Sequence, residues 1–175
     1  MQDTLAKAAA VRLVIFDVDG VLTDGSLFFS DRGEEFKIFN ARDGHGLKML
    51  QRSGVEVAIL SGRRSAAVQT RMQALGIRHV HQGLEDKGPA FEALITELGI
   101  GADQVAYAGD DVIDLPVMCR VGLAIAVSDA HPLVRQHAHW QTTLPGGRGA
   151  AREVCELIME AQGTLQPAMA GYISR

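Results

Sequence analysis

Carboxylates, one hydroxyl and one ammonium recur just beyond the apolar runs of this 175-residue chain. Asp17 and Asp19 follow the run Val11 to Phe16, Ser61 and Gly62 follow Val55 to Leu60, and Lys87 lies after a weaker run, Arg78 to Gln82. Gly109, Asp110, Asp111 and Asp114 follow Gln104 to Ala108. A DxD pair alone arises by chance in an Asp-rich chain, so its placement carries the information. Residues two apart in extended chain share a side, which lets Asp17 and Asp19 face one small site. Together with the Asp110 and Asp111 pair they repel one another unless a cation intervenes, and a hard oxygen-ligand set of this kind suits Mg²⁺. Carboxylates around one ion still discourage a phosphate dianion, so cationic and hydrogen-bonding groups are needed opposite. Lys87, the Ser61 hydroxyl and nearby backbone N–H groups meet that need. One Asp can then attack phosphorus while a second protonates the leaving oxygen.

Such chemistry requires a scaffold that delivers every one of these residues to the same edge. The apolar runs are short and rich in β-branched residues, as in buried parallel strands, and Val121 to Val127 adds another. Helical patterns lie between them, such as Pro89, Phe91, Leu94, Ile95 and Leu98 closed by Gly99, and later Val154, Leu157, Ile158 and Ala161. Strands alternating with helices predict right-handed βαβ units and an α/β domain with a doubly wound, open parallel, Rossmann-like sheet. In such sheets ligands bind beyond the carboxyl ends of the strands. The length predicts a single domain over residues 1–175.

One segment breaks the alternation. Ser26 to Phe39 has two β-prone runs around Asp31, Arg32 and Gly33, which predicts a projecting β-hairpin at about 26–39. It carries Phe28, Phe29, Phe36 and Phe39, too many rings for a small hairpin to bury alone, so packing against another copy of the chain is expected. After Gln162 the composition shifts to Gly, Pro and Ala, which predicts a mobile tail at about 164–175, with Tyr172 and Arg175 expected to reach a neighbouring subunit's site.

Seventeen Lys and Arg against 21 Asp and Glu give a net charge of −4, which does not favour nucleic acid or an anionic membrane. The longest apolar stretches are far short of a membrane span, and residues 1–10 lack the apolar core of a signal peptide and read as a loose helical turn. A cytoplasmic protein is expected, with Cys119 and Cys155 as buried free thiols. The six His residues show no zinc-ligand spacing. Met49, Met72, Met118 and Met159 read as core filler, and Asp24 as a turn cap. Gly146, Gly147 and Gly149 fit either an anion cradle around Arg148 or a turn before the last helix.

The string DVDGVLTDG at Asp17 to Gly25, Ser61-Gly62-Arg63, Lys87 and GDDVID at Gly109 to Asp114 resemble, in order and spacing, the four motifs of haloacid dehalogenase-like phosphohydrolases. The resemblance implies that Asp17 forms an aspartyl-phosphate and that Asp19 acts first as general acid and then as base. It also implies Mg²⁺ held by the Asp17 carboxylate, the Asp19 backbone carbonyl and Asp110, with Ser61, Gly62 and Lys87 gripping the phosphoryl group.

A narrower resemblance covers nearly the whole chain. A hairpin in place of a cap domain, NARDG at Asn40 to Gly44, SGRR at Ser61 to Arg64, DAHP at Asp129 to Pro132 and GGRGAARE at Gly146 to Glu153 are similar to the capless 3-deoxy-D-manno-octulosonate 8-phosphate phosphatase family. That likeness implies a Mg²⁺-dependent homotetramer of lipopolysaccharide biosynthesis acting on a sugar acid phosphate. By it, Asn40, Arg42, Asp43, Gly44, Arg63 and Arg71 become candidate substrate contacts. Two rivals remain beside it. A phosphoacceptor signalling module shares the sheet and the residue types, but its acidic pair follows the first strand, whereas here DxD comes first and the pair comes late. A noncatalytic assembly relative is disfavoured by four intact motifs.

Overall fold

The structure, a computed structural model, describes residues 2–173. Strands β1 (Leu13–Phe16), β4 (Glu56–Ser61), β6 (Val105–Gly109) and β7 (Leu123–Ala126) are buried at nearly every position, as a strand covered on both faces must be. With β5 (His79–Gln82) and β8 (Trp140–Gln141) they form one parallel six-stranded sheet in the order β5-β4-β1-β6-β7-β8. From β1 the chain moves outward through β4 to β5, then returns to the other side of β1 for β6, β7 and β8. That reversal makes the carboxyl edge beside β1 the switch point where a ligand-sized crevice opens.

Register then fixes the site. Phe16 pairs with Ile59 on one side and Ala108 on the other, so Asp17 emerges one residue beyond the pair line, with Ser61 and Asp110 two beyond it. The Asp17 N–H continues the ladder by donating to the Ala108 carbonyl at 3.0 Å.

Helices cover both faces. α1 (Gln2–Ala9), α2 (Ala41–Arg52), α3 (Ala66–Leu75) and α7 (Ala150–Ala161) form one layer, in which α7 packs against both α1 and α2. α4 (Gly88–Leu98), α5 (Leu115–Met118) and α6 (Pro132–His137) form the other. The α7 stripe read from Val154 and Ile158 is fully buried, and Met49, Met72, Met118 and Met159 all lie in the core. No helix among the described residues is long and apolar enough to cross a membrane.

The hairpin forms as antiparallel β2 (Phe28–Phe29) and β3 (Glu35–Phe36), its turn held by the Ser30 hydroxyl, which accepts from the N–H groups of Arg32 and Glu34. Phe28, Phe29 and Phe36 stand exposed, with Leu27 and Ile38, while Phe39 turns inward against the core.

Four expectations need correction. Residues 2–9 form a full helix, not a loose turn. Cys119 is exposed, and only Cys155 is buried. β8 has no counterpart in the sequence reading, because two residues carry no periodicity. The stretch read as a tail is helical over Leu165–Ile173 (α8), with Ala168 and Met169 packed on the core and the Tyr172 ring edge-on to His45 at 5.4 Å. Arg175 lies outside the described residues.

Candidate active site

The loop after β1 must turn sharply to leave room for a second carboxylate. Gly20 makes that turn at φ 95°, and a Cβ there would sit 2.1 Å from Asp110 Oδ2. Gly146 backs the same loop, since a Cβ on it would lie 1.7 Å from the Gly20 carbonyl oxygen. Close backbone approach thus accounts for Gly146 at the start of the GGRG run, and Arg148 is used in an exposed ion pair with Asp24 at 3.2 Å. Asp24 also caps its own turn, accepting from the Ser26 N–H at 3.1 Å.

A cleft of about 160 Å³ opens at this edge, lined by Asp17, Asp19, Ser61, Gly62, Arg63, Asp110, Asp111 and Ile113. The larger depression of about 610 Å³ between α2 and α8, bordered by His45, Arg52 and Tyr172, contains none of the motif residues.

Behind the cleft lies a buried ionic cluster. Lys87 Nζ donates to Asp17 Oδ1 at 2.7 Å, to Asp114 Oδ1 at 2.7 Å and to the Tyr107 hydroxyl oxygen at 2.9 Å. Tyr107 in turn donates to Asp114 Oδ1 at 2.6 Å. Asp114 Oδ2 accepts from the backbone N–H groups of Asp110 and Asp111 at 3.0 and 3.2 Å, so the fully buried Asp114 is saturated on both oxygens. Lys87 meets two carboxylates, which is how an ammonium is held in the dry interior. Its contacts raise its pKa against the opposing effect of burial.

Asp17, Asp110 and Asp114 each bring a carboxylate oxygen within 4.8 Å of the others. Burial and like charge act together on two of them. Burial first, then Asp17, Asp114 and Asp111, push the Asp110 carboxyl up to about 8. Burial pushes Asp17 to about 6, Lys87 opposing and Asp114 adding to it. Asp110 Oδ1 is buried with no hydrogen-bond partner. A buried, unpaired carboxylate oxygen beside a second carboxylate is what a divalent cation with oxygen ligands would satisfy. Asp114, its oxygens already committed, is a support for that pair and not a free ligand. No His among the described residues joins a metal-sized group.

Asp19 sits on the opposite lip. Its Oδ1 is paired with Lys37 of the hairpin, and Arg63 Nε lies 3.8 Å from its Oδ2. Glu35 bridges the same cations, 3.2 Å from Lys37 and 3.0 Å from Arg63.

The structure therefore gathers Asp17, Asp19, Ser61, Gly62, Arg63 and Asp110 at the cleft, with Lys87 directly behind Asp17. It does not bring the remaining candidates there. Asn40 caps α2, its side-chain oxygen accepting from the Arg42 N–H at 2.8 Å, and Arg42 is exposed. Asp43 is buried, and its two oxygens accept from Gly149 and Arg152 N–H groups at 3.2 and 2.9 Å, capping α7. Gly44 leaves space for the Arg71 guanidinium, which a Cβ would meet at 2.2 Å. Asn40, Asp43, Gly44 and Arg71 border a separate small depression with Leu22, Phe39 and Leu47. Within this chain Asp43 caps α7 and Gly44 leaves room for Arg71, apart from the cleft. Tyr107, Glu35 and Lys37 escaped the sequence reading. Tyr107 lies within an apolar strand run, and the other two look like solvated hairpin charge.

Comparison with known proteins agrees with this geometry. Residues 80–152 match the haloacid dehalogenase-like hydrolase family. The 3-deoxy-D-manno-octulosonate 8-phosphate phosphatase of Yersinia pestis is 50% identical over 166 residues, covering 95% of this chain and 89% of that protein. The enzyme of the same name from Escherichia coli K12 is 51% identical, covering 95% and 88%. The crystal structure of such a phosphatase from Moraxella catarrhalis, in complex with a magnesium ion, a phosphate ion and a KDO molecule, superposes with a TM-score of 0.96 at 41% identity, covering 98% of this chain and 99% of that one. At such identity over nearly the whole length, and with the same shape, the chain belongs to the 3-deoxy-D-manno-octulosonate 8-phosphate phosphatase family of haloacid dehalogenase-like hydrolases.

Proposed function

We propose that the chain is a Mg²⁺-dependent phosphomonoester hydrolase acting on 3-deoxy-D-manno-octulosonate 8-phosphate in lipopolysaccharide biosynthesis. The observation that carries this reading is Asp17 held at 2.7 Å by a buried Lys87, beside the unpartnered Asp110 oxygen, in a cleft that also contains Asp19 and Ser61. Relatives about half identical over most of the chain carry that activity in their names. Asp17 and Asp110, with the Asp19 backbone carbonyl, would hold the ion, which would offset carboxylate repulsion and polarise phosphoryl oxygen.

Asp17 attacks phosphorus, forming an O–P bond as the bond to the sugar oxygen breaks, and Asp19 donates its proton to that departing oxygen. Asp19 then takes a proton from water as the water oxygen attacks phosphorus, which releases phosphate and restores the Asp17 carboxylate. Lys87, Ser61 and the Gly62 N–H meet the phosphoryl charge. Phosphate release from a panel of sugar phosphates with Mg²⁺ tests the reading. The eight-carbon keto acid phosphate should give the highest kcat/KM, by about 10²-fold or more over hexose phosphates, and no release from any member would reject it.

The same proposal extends to assembly. The whole chain acts as one capless cytoplasmic domain, and the hairpin joins copies into a homotetramer. Exposed Phe28, Phe29 and Phe36 support this, since burying each ring is worth about 1.5–3 kcal/mol. The triple variant F28S/F29S/F36S is expected to sediment as a monomer, and an unchanged sedimentation coefficient would remove the hairpin from the interface.

A further inference from the structure

We infer that Lys37 is a positioning residue for the leaving-group step: it fixes one oxygen of the Asp19 carboxylate so that the other is turned to the departing sugar oxygen. The inference rests on the phosphatase reading above and deepens it.

Lys37 stands on a two-stranded ribbon whose neighbours are mostly exposed, yet its side chain is only 1% exposed. A lysine with a free rotamer choice on an open hairpin extends into water, since burying an ammonium is unfavourable unless it is paired. Here it is paired twice, with Glu35 at 3.2 Å and with Asp19 Oδ1. Arg63, rising from the loop after β4, joins the same two acids and closes a quartet of two cations and two anions. Two separate pieces of chain, the hairpin and the loop after β4, thereby converge on Asp19.

The consequence for Asp19 is directional. Oδ1 is committed to the Lys37 ammonium, while Oδ2, 3.8 Å from Arg63 Nε, is beyond hydrogen-bond distance of that group. Oδ2 is therefore the oxygen left to meet a substrate atom. General acid catalysis needs the donor oxygen within about 3 Å of the leaving oxygen, so a carboxyl free to rotate would spend part of its time with the proton misdirected. Among the described residues, Lys37 is the one group at hydrogen-bond distance of Oδ1.

A purely structural role would slow every substrate alike, and a leaving-group role would not. The test measures leaving-group release in single turnovers, with enzyme in excess and saturating Mg²⁺, for the sugar acid phosphate and for p-nitrophenyl phosphate. The former needs a proton on its alkoxide; the latter leaves well without one. Lys37→Met is expected to slow sugar release by about 10²-fold and p-nitrophenol release by less than about 3-fold, with Lys37→Arg recovering most of the difference. Equal losses on both substrates, or no loss on either, would overturn the inference. If Lys37→Met does not fold, Lys37→Gln, which keeps a donor but shortens its reach, reads the same selective loss in milder form. Asp19→Asn separates the two levels. Selective loss in Asp19→Asn but not in the Lys37 variants sinks only the positioning role, whereas no selective loss in Asp19→Asn removes the general acid itself.

Discussion

Asp17→Asn is expected to lower kcat by about 10⁴-fold or more and to leave no trappable phosphoenzyme, while Tm stays within about 5 °C of the parent. The activity loss follows from the chemistry, since an amide oxygen is a poor nucleophile toward a phosphate ester and its size is otherwise conserved. The modest stability effect follows from two opposed changes. Burial has already pushed the Asp17 carboxyl up to about 6, so its ionised form costs the folded state something that a neutral amide does not. Against this, Lys87 loses one of its anionic partners, although Asp114 at 2.7 Å and Tyr107 at 2.9 Å still hold it. Asp114→Asn is the contrasting case, because Asp114 ties Lys87, Tyr107 and two backbone N–H groups together at once. A kcat within about tenfold of the parent's for Asp17→Asn, in a sample of unaltered Tm, would assign the attack on phosphorus to another group.

What could be read from the chain alone depended on how local each signal is. The runs Val11 to Phe16, Val55 to Leu60 and Gln104 to Ala108 each become a strand because burial on both faces demands a continuous apolar run, which is visible in a few consecutive residues. Once those strands are parallel and adjacent, the polar residues that follow them must share an edge. Long-range pairing has no such trace. Lys37 meets Asp19 across 18 positions and Asp43 caps a helix across 106, so neither role leaves a mark on its own neighbourhood. Tyr107 was hidden for a different reason. Its ring belongs to the core, and only its hydroxyl, at the end of that ring, reaches Lys87 and Asp114. Family likeness places Asp43 and Arg71 near substrate; within one chain Asp43 reaches the start of α7 and Arg71 lies beside Gly44.

Metal-free protein is expected to lose stability as pH rises from about 6 to about 8, and Mg²⁺ to reverse the loss. The sign comes from the protons. Asp17 and Asp110 titrate near 6 and near 8 in the fold but near 3.8 when unfolded, so through that range the native state binds more protons than the unfolded one. Stability then falls with rising pH, by about two protons' worth of slope below 6 and about one between 6 and 8, and levels off once Asp110 has given up its proton. Mg²⁺ requires both carboxylates ionised, so binding near pH 7 expels the Asp110 proton, and the apparent affinity should rise by about tenfold per pH unit, about 100-fold from pH 6 to pH 8, levelling off above. Thermal melts in EDTA and in graded Mg²⁺ across that range measure both effects. Asp110→Asn, which has no such proton to release, is expected to flatten the metal-free slope and to abolish the Mg²⁺ response. A Mg²⁺ affinity independent of pH in the parent protein would mean that the unpaired Asp110 oxygen is not the ligand, and with it the carboxylate pair at the switch point would lose its function.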